Sequence, residues 1–168
     1  MDWRKFDKYK NAFNFIEENK PALIVEYGSG GSTLHLYNCL KELNYGGRLI
    51  TYEDSEEYRN IMVDEFPYLA DIIKIAPIEY VDKAKGKVKY VHDYEEIKDV
   101  GLVIIDGPDY RVHKTDKGYP SNLTTNLEDI NNYLNKHVPY FIDGRSGCIN
   151  YYNNLNYSNF IEQHWPVN

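Results

Sequence analysis

The run Leu23-Ile24-Val25-Glu26-Tyr27-Gly28-Ser29-Gly30-Gly31-Ser32-Thr33 constrains this chain more than any other part of it. A short apolar run enters a glycine-rich turn, and a helical pattern follows. This reads as a buried strand, a turn and a helix, the opening unit of an α/β sheet. Glycine can take φ > 0 and bring bare backbone against a ligand. Amides at the start of the helix favour an anion. An acid, Glu26, stands just before the first glycine. The layout suits a nucleotide-type cofactor at the carboxyl end of the first strand, although an ordinary tight turn would use the same glycines.

Two more segments extend the pattern. Residues 48–53 read as a second strand ending in Glu53, and Asp54 and Ser55 offer an N-cap for a helix over 56–66. An acid at that tip suits a ribose, because a carboxylate accepts a hydrogen bond from each of two vicinal hydroxyls. Residues 99–108 form an apolar, β-branched run closed by Asp106-Gly107-Pro108. Such a run fits a strand buried on both faces of a parallel sheet. The breakers leave the Asp106 carboxylate at its tip.

The spacing discriminates among cofactors. The turn has glycines at 28, 30 and 31, and Thr33 stands where a dinucleotide fingerprint has its third glycine. The lysine of a phosphate-binding P-loop is also missing. The string Glu26-x-Gly28-x-Gly30-x-Ser32 instead resembles motif I of the class I S-adenosylmethionine-dependent methyltransferases. Glu53 matches their ribose-binding acid. The string VIIDGPDYR, residues 103–111, resembles their fourth-strand motif, especially in a subgroup that carries GSGxST and IDGP.

The likeness covers roughly residues 20 to 145. It implies a Rossmann-like three-layer α/β/α domain with a mostly parallel sheet. The C-terminal strands would be shortened or missing, since only about twenty residues follow Gly147. It implies S-adenosylmethionine as cofactor, held by Glu26, Gly28, Ser29, Gly30, Ser32, Thr33, Glu53, Asp54 and Asp106. The activity implied is O-methylation of a hydroxyl on a small-molecule or glycan acceptor. Two alternatives stand beside it. One is a catalytically inactive binding or scaffold protein that keeps the fold, which the short C-terminus favours. The other is a nucleotide-sugar or dinucleotide-binding enzyme, which the absent third glycine disfavours.

A hydroxyl acceptor must lose a proton to a base or a metal. Asp106 and Asp143 are expected at the tips of adjacent strands, the second over 138–143. As oxygen ligands they suit a hard cation such as Mg²⁺. The arrangement resembles the metal-dependent O-methyltransferases, although those place Asp-Asn after strand five and this chain has Asp143-Gly144. Alternatively Asp106 or Asp109 is a general base without metal, and Asp143 caps a turn beside Arg145. The long polar loop at 107–121 is expected to recognise the acceptor. With Asp106 and Asp109, its Arg111 and His113 complete the candidate catalytic set.

At 168 residues the chain is expected to form one domain, residues 1–168. A net charge of −7 argues against a broad nucleic-acid surface. The lysines at 83, 85, 87 and 89 read as a local basic patch or a solvated hairpin. No apolar run approaches the ~20 residues needed to span a bilayer, and no signal-peptide stretch opens the chain. Cys39 and Cys148 have no metal or redox spacing. A cytoplasmic protein with reduced cysteines follows. The 17 tyrosines suit a sugar or aromatic acceptor, or a tyrosine-rich core. Helices are expected at 4–19, 32–43 and 125–137, strands at 22–27 and 72–77, and a hairpin at 78–81 and 88–92. An uncovered sheet edge after a shortened C-terminus would invite a homo-oligomer.

Overall fold

The computed structural model describes residues 2–109, 112–118 and 123–164. Strand β1 (Leu23–Tyr27) is buried at every position, as its apolar run requires. Helix α2 (Gly31–Leu43) leaves the glycine turn and returns the chain to β2 (Arg48–Glu53), parallel to β1. Ser55 caps α3 (Glu56–Glu65), its Oγ accepting from the Tyr58 amide at 3.1 Å. Strand β3 (Ile73–Ile75) pairs parallel with β2. The expected hairpin forms as β4 (Ile78–Asp82) and β5 (Lys87–Tyr90), and β7 (Leu123–Thr124) joins it as a second, three-stranded sheet.

Between them lies β6 (Val100–Ile105), parallel to β1 on the side away from β2. Helix α4 (Asn126–Leu134), strand β8 (Tyr140–Ile142), helix α5 (Ser146–Asn154) and the short β9 (Phe160–Ile161) complete the chain. The main sheet has the order β3-β2-β1-β6-β8-β9, and every pairing in it is parallel. Helices flank it, which makes the domain a Rossmann-like α/β/α fold. The C-terminal part of the sheet is reduced to β9, two residues paired with β8. Among the described residues no helix is long and apolar enough to cross a membrane.

The sheet divides the core by alternation. Leu23, Val25, Tyr27, Val103 and Ile105 face α4 and α5, where Leu127, Ile130 and Tyr152 pack. Ile24, Leu49, Leu102, Ile104 and Phe141 face α1 (Lys10–Asn19) and α2. Each such side chain taken from water contributes roughly 1.5–3 kcal/mol. Tyr9, Tyr27, Tyr52, Tyr90, Tyr140 and Tyr152 are among the largest fully buried side chains. Much of the tyrosine content therefore serves packing.

The helix expected over 4–19 starts only at Lys10. Two 3₁₀ turns, Trp3–Lys5 and Asp7–Tyr9, precede it. Phe6 leaves the helical region at φ −88°, ψ 72°, and its ring stacks on His35 at 4.3 Å. That break changes the direction in which Lys8 and Tyr9 point.

The strand order reverses between β1 and β6, and the loops after these two strands diverge there. This is where open α/β sheets bind ligands. Gly28 has φ +91°, and a Cβ there would stand 2.5 Å from the Gly107 backbone nitrogen. Gly30 has open space around it and an extended φ of 167°. Gly28→Ala is therefore expected to cost on the order of 2–4 kcal/mol, from left-handed strain plus the backbone clash. Gly30→Ala should stay within about 0.5 kcal/mol of wild type. Urea denaturation of both variants checks the contrast, and equal stabilities would refute it.

Candidate functional site at the strand tips

Four acids lie at or next to the carboxyl ends of four neighbouring parallel strands: Glu26, Glu53, Asp106 and Asp143. Their side chains share one face because the registers differ by even steps. Glu26 pairs with Thr51, two residues before Glu53, and with Ile104, two residues before Asp106. Ile104 in turn pairs with Phe141, two residues before Asp143. All four therefore point toward the layer of α1 and α2.

Glu26 lies beneath the glycine turn and is fully buried. Three hydroxyls donate to it: Ser32 Oγ at 2.6 Å, Thr33 Oγ1 at 2.7 Å and Thr51 Oγ1 at 2.8 Å. Thr33 Oγ1 also accepts from the Gly30 amide at 3.0 Å. The carboxyl thus ties β1 to β2 and to the first turn of α2. Burial pushes its pKa up to about 8, a rise that the three hydroxyls oppose.

Glu53 stands at the tip of β2 with its carboxylate turned back to the glycine turn. Its Oε2 accepts from the Ser29 amide and from Ser29 Oγ, both at 2.8 Å. Its Oε1 accepts from the Ser55 amide at 3.0 Å. Beside these groups, Gly30 and Gly31 face open space within 4 Å of where a Cβ would project. Glu53 itself is buried, 6% exposed. Next to it, Asp54 Oδ2 meets His113 Nε2 at 2.6 Å, which brings the loop after β6 across to the tip of β2.

Asp106 is half-buried at the tip of β6. Tyr9 OH donates to its Oδ2 at 3.4 Å, and Ser32 Oγ lies 3.3 Å from the same oxygen. Ser32 has one hydroxyl proton and serves one carboxylate at a time. When Glu26 is protonated it can donate to Ser32, and Ser32 is then free to donate to Asp106. Burial and the neighbouring Asp143 push the Asp106 pKa up to about 6, while Arg145 and Lys8 pull it down. The Arg145 guanidinium also donates to the Asp106 backbone carbonyl.

Asp143, at the tip of β8, pairs with the Lys8 ammonium, and Gln163 Nε2 donates to its Oδ1 at 3.2 Å. The alternative pairing of Asp143 with Arg145 is not the observed one: Lys8 takes that place, and Arg145 turns to the Asp106 carbonyl. Mg²⁺ is commonly held through one or two carboxylates, with water completing its shell. Here one of the two carboxylates already holds an ammonium. Among the described residues, no group of three or more His, Cys, Asp or Glu side chains is placed to hold a metal. With the Lys8 ammonium on Asp143, the tip as folded does not present both carboxylates to a divalent cation.

Of the other candidates, Asp109 is half-buried, and its carbonyl accepts from the Val112 and His113 amides at 3.1 and 3.2 Å. His113 is tied to Asp54 rather than presented to solvent. Arg111 lies outside the described residues, as do Tyr110, Tyr119 and Pro120 of the same loop. The structure brings together Glu26, Gly28, Ser29, Gly30, Ser32, Thr33, Glu53, Asp54 and Asp106 at one end of the sheet.

Lys8, Tyr9, Thr51, Tyr90 and Arg145 also belong to this region, and of these sequence reasoning did not find Lys8, Tyr9 or Thr51. Thr51 was findable, because it precedes Glu53 by two and must share its face. Tyr90 packs against the Gly28–Gly107 contact, where a Cβ on Gly107 would lie 2.0 Å from its hydroxyl. That hydroxyl and Arg145 Nε are buried without a hydrogen-bond partner. The expected basic patch is largely neutralised. Lys83, Lys85 and Lys89 pair with Asp116, Asp82 and Glu79, and Lys87 donates to Tyr151. Cys39 and Cys148 are buried and free.

No protein-family model matches this chain, and no curated protein matches it significantly.

The Glu26 shift has a definite sign. An acid whose pKa rises on folding binds a proton more tightly in the folded state. Its contribution to stability is complete below its ordinary pKa and is lost as pH climbs through the raised one. Stability should therefore fall between about pH 4.5 and pH 8, by up to about 1.4 kcal/mol per pH unit from this group. Glu26→Gln, which keeps a neutral hydrogen-bonding side chain, should flatten that slope. Urea midpoints across this range test it, and parallel pH profiles for wild type and variant would show that Glu26 is ionised throughout.

Proposed function

We propose that this chain is an S-adenosylmethionine-dependent methyltransferase acting on a hydroxyl of a small-molecule or glycan acceptor. The observation that carries this reading is the position of Glu53. Its carboxylate lies at the tip of β2 and touches Ser29 of the glycine turn at 2.8 Å. A diol held there would lie against the open Gly30–Gly31 backbone, which is the chemistry a ribose needs. Thr33 favours this cofactor over a dinucleotide, since its hydroxyl is committed to Glu26 and Gly30.

When bound, S-adenosylmethionine would supply an electrophilic methyl group. Glu53 would bind the ribose hydroxyls in exchange for the Ser29 hydroxyl. Gly30 and Gly31 would admit the rest of the ligand against bare backbone. Asp106, at the tip of the adjacent switch-point strand β6, would take the proton from an acceptor hydroxyl. With its pKa near 6, it is largely ionised at neutral pH yet more basic than an ordinary aspartate. Tyr9 and Ser32 hold its Oδ2 in position. A localisation in the cytoplasm fits such an activity.

A second reading has one observation in its favour. Asp54 is held by His113, and Glu53 already has three donors. That is consistent with a domain that keeps the fold for binding rather than turnover.

Calorimetric titration with S-adenosylmethionine and S-adenosylhomocysteine tests the proposal. Wild type should bind both. Glu53→Ala should bind them roughly 10–150-fold more weakly while remaining folded, since it loses hydrogen bonds worth about 1.5–3 kcal/mol to a charged acceptor. Asp106→Asn should retain cofactor affinity and lose turnover roughly a hundredfold or more, as expected when a general base is removed. Wild-type protein that binds neither ligand would overturn the cofactor assignment. Binding without turnover over a broad panel of hydroxyl acceptors would favour the second reading.

A further inference from the structure

Asp106 and Asp143 lie side by side at the tips of β6 and β8. The Asp143 amide donates to the Ile105 carbonyl at 2.8 Å, so the pairing of these strands runs up to both acids. Both carboxylates face the α1–α2 layer, for the even-step reason given above. Two carboxylates so placed repel each other and are costly to bury without a cation. Lys8 and Arg145 supply that charge. Lys8 is ion-paired with Asp143, whose side chain is only 7% exposed. Arg145 and, to a lesser degree, Lys8 act on Asp106 with the opposite sign to the repulsion from Asp143.

The Lys8 side chain is 39% exposed along its length, and the turn that carries it is anchored. Its neighbour Tyr9 is fully buried and reaches Asp106 Oδ2 at 3.4 Å. The Tyr9 ring packs on Phe141 at 4.6 Å and on Phe6 at 4.9 Å. The 3₁₀ turn Asp7–Tyr9 therefore delivers an ammonium to one carboxylate and a phenol to the other. Gln163 completes the Asp143 shell at 3.2 Å. Gly144 lies beside the pair: a Cβ there would touch Lys8 Nζ at 3.7 Å, an ordinary van der Waals contact.

We propose that Lys8 is the resident cation on Asp143, beside Asp106, and that it keeps divalent metal ions out of this strand-tip site. The exclusion of metal is a property of the folded chain and stands whatever the reaction. Its consequence for catalysis rests on the methyltransferase reading: Asp106 then accepts a proton without a metal, and Lys8 is a positioning residue acting through Asp143.

Titration with Mn²⁺, read as loss of the free-ion electron paramagnetic resonance signal, tests this directly. Wild type and Lys8→Arg should take up no ion saturably, because each keeps a cation on Asp143. Lys8→Ala should take up one ion per chain with affinity roughly tenfold or more above wild type. That uptake should vanish in Lys8→Ala/Asp143→Asn. Lys8→Gln, which keeps most of the aliphatic stem, serves as a second variant should Lys8→Ala fail to fold by circular dichroism. Saturable uptake by wild type that is lost in Asp143→Asn would overturn the proposal. So would a folded Lys8→Ala or Lys8→Gln that binds no more Mn²⁺ than wild type. No part of this measurement needs S-adenosylmethionine, so its failure is distinct from a failure of cofactor binding.

Discussion

The fully buried Glu26 carboxyl is the point on which the architecture of the site depends. It accepts hydroxyls from Ser32 and Thr33 at the start of α2 and from Thr51 in the middle of β2. Removing those partners would leave a polar group stranded in the core, at a cost of several kcal/mol. The network therefore sets the angle at which α2 leaves the glycine turn. That angle in turn places the Gly30 and Gly31 backbone and the Ser29 contact with Glu53. An acid in this strand position serves the shape of the cradle from below.

The second organising element is the close meeting of Gly28 and Gly107. The loops after β1 and β6 touch backbone to backbone, and a side chain at either position would collide with the other. The opening at the switch in strand order is narrowed from one side in this way. From the other side, the His113–Asp54 pair closes it across the tip of β2. Asp106 adjoins Gly107, and its electrostatics are set by burial and by charges of both signs. Asp143 and burial favour its protonated form, whereas Lys8 and Arg145 favour its ionised form. A carboxyl balanced in this way can gain or lose a proton near neutrality, as acid–base chemistry requires.

Much of this was legible from local pattern. β1, β2, β6 and α2 appear within a residue or two of where hydrophobic runs and glycine punctuation place them. The Ser55 cap forms as its position before 56–66 demands, and the hairpin around Lys85–Lys87 forms as β4 and β5. Where the structure departs from expectation, the cause is tertiary. The periodicity of Phe6, Tyr9, Phe13 and Ile16 reads as one helix, but stacking of Phe6 on His35 breaks it. Asp143 and Arg145 are neighbours in sequence, yet Asp143 pairs with Lys8, which the chain brings back from far upstream.

The sequence by itself determined the order of strands and helices, the glycine turn and the presence of an acid at each of four strand tips. Those features follow from local sterics and from apolar periodicity, which act over a few residues. Only the tertiary structure decided what each acid does. Strand register set all four on one face, and burial then separated them. Glu26 became a buried strut, Glu53 a rim to the cradle, Asp106 a half-buried acid of raised pKa, and Asp143 the partner of an ammonium. A carboxylate's behaviour depends on how much water it loses and which charges lie within a few ångströms, and neither quantity is encoded in neighbouring residues.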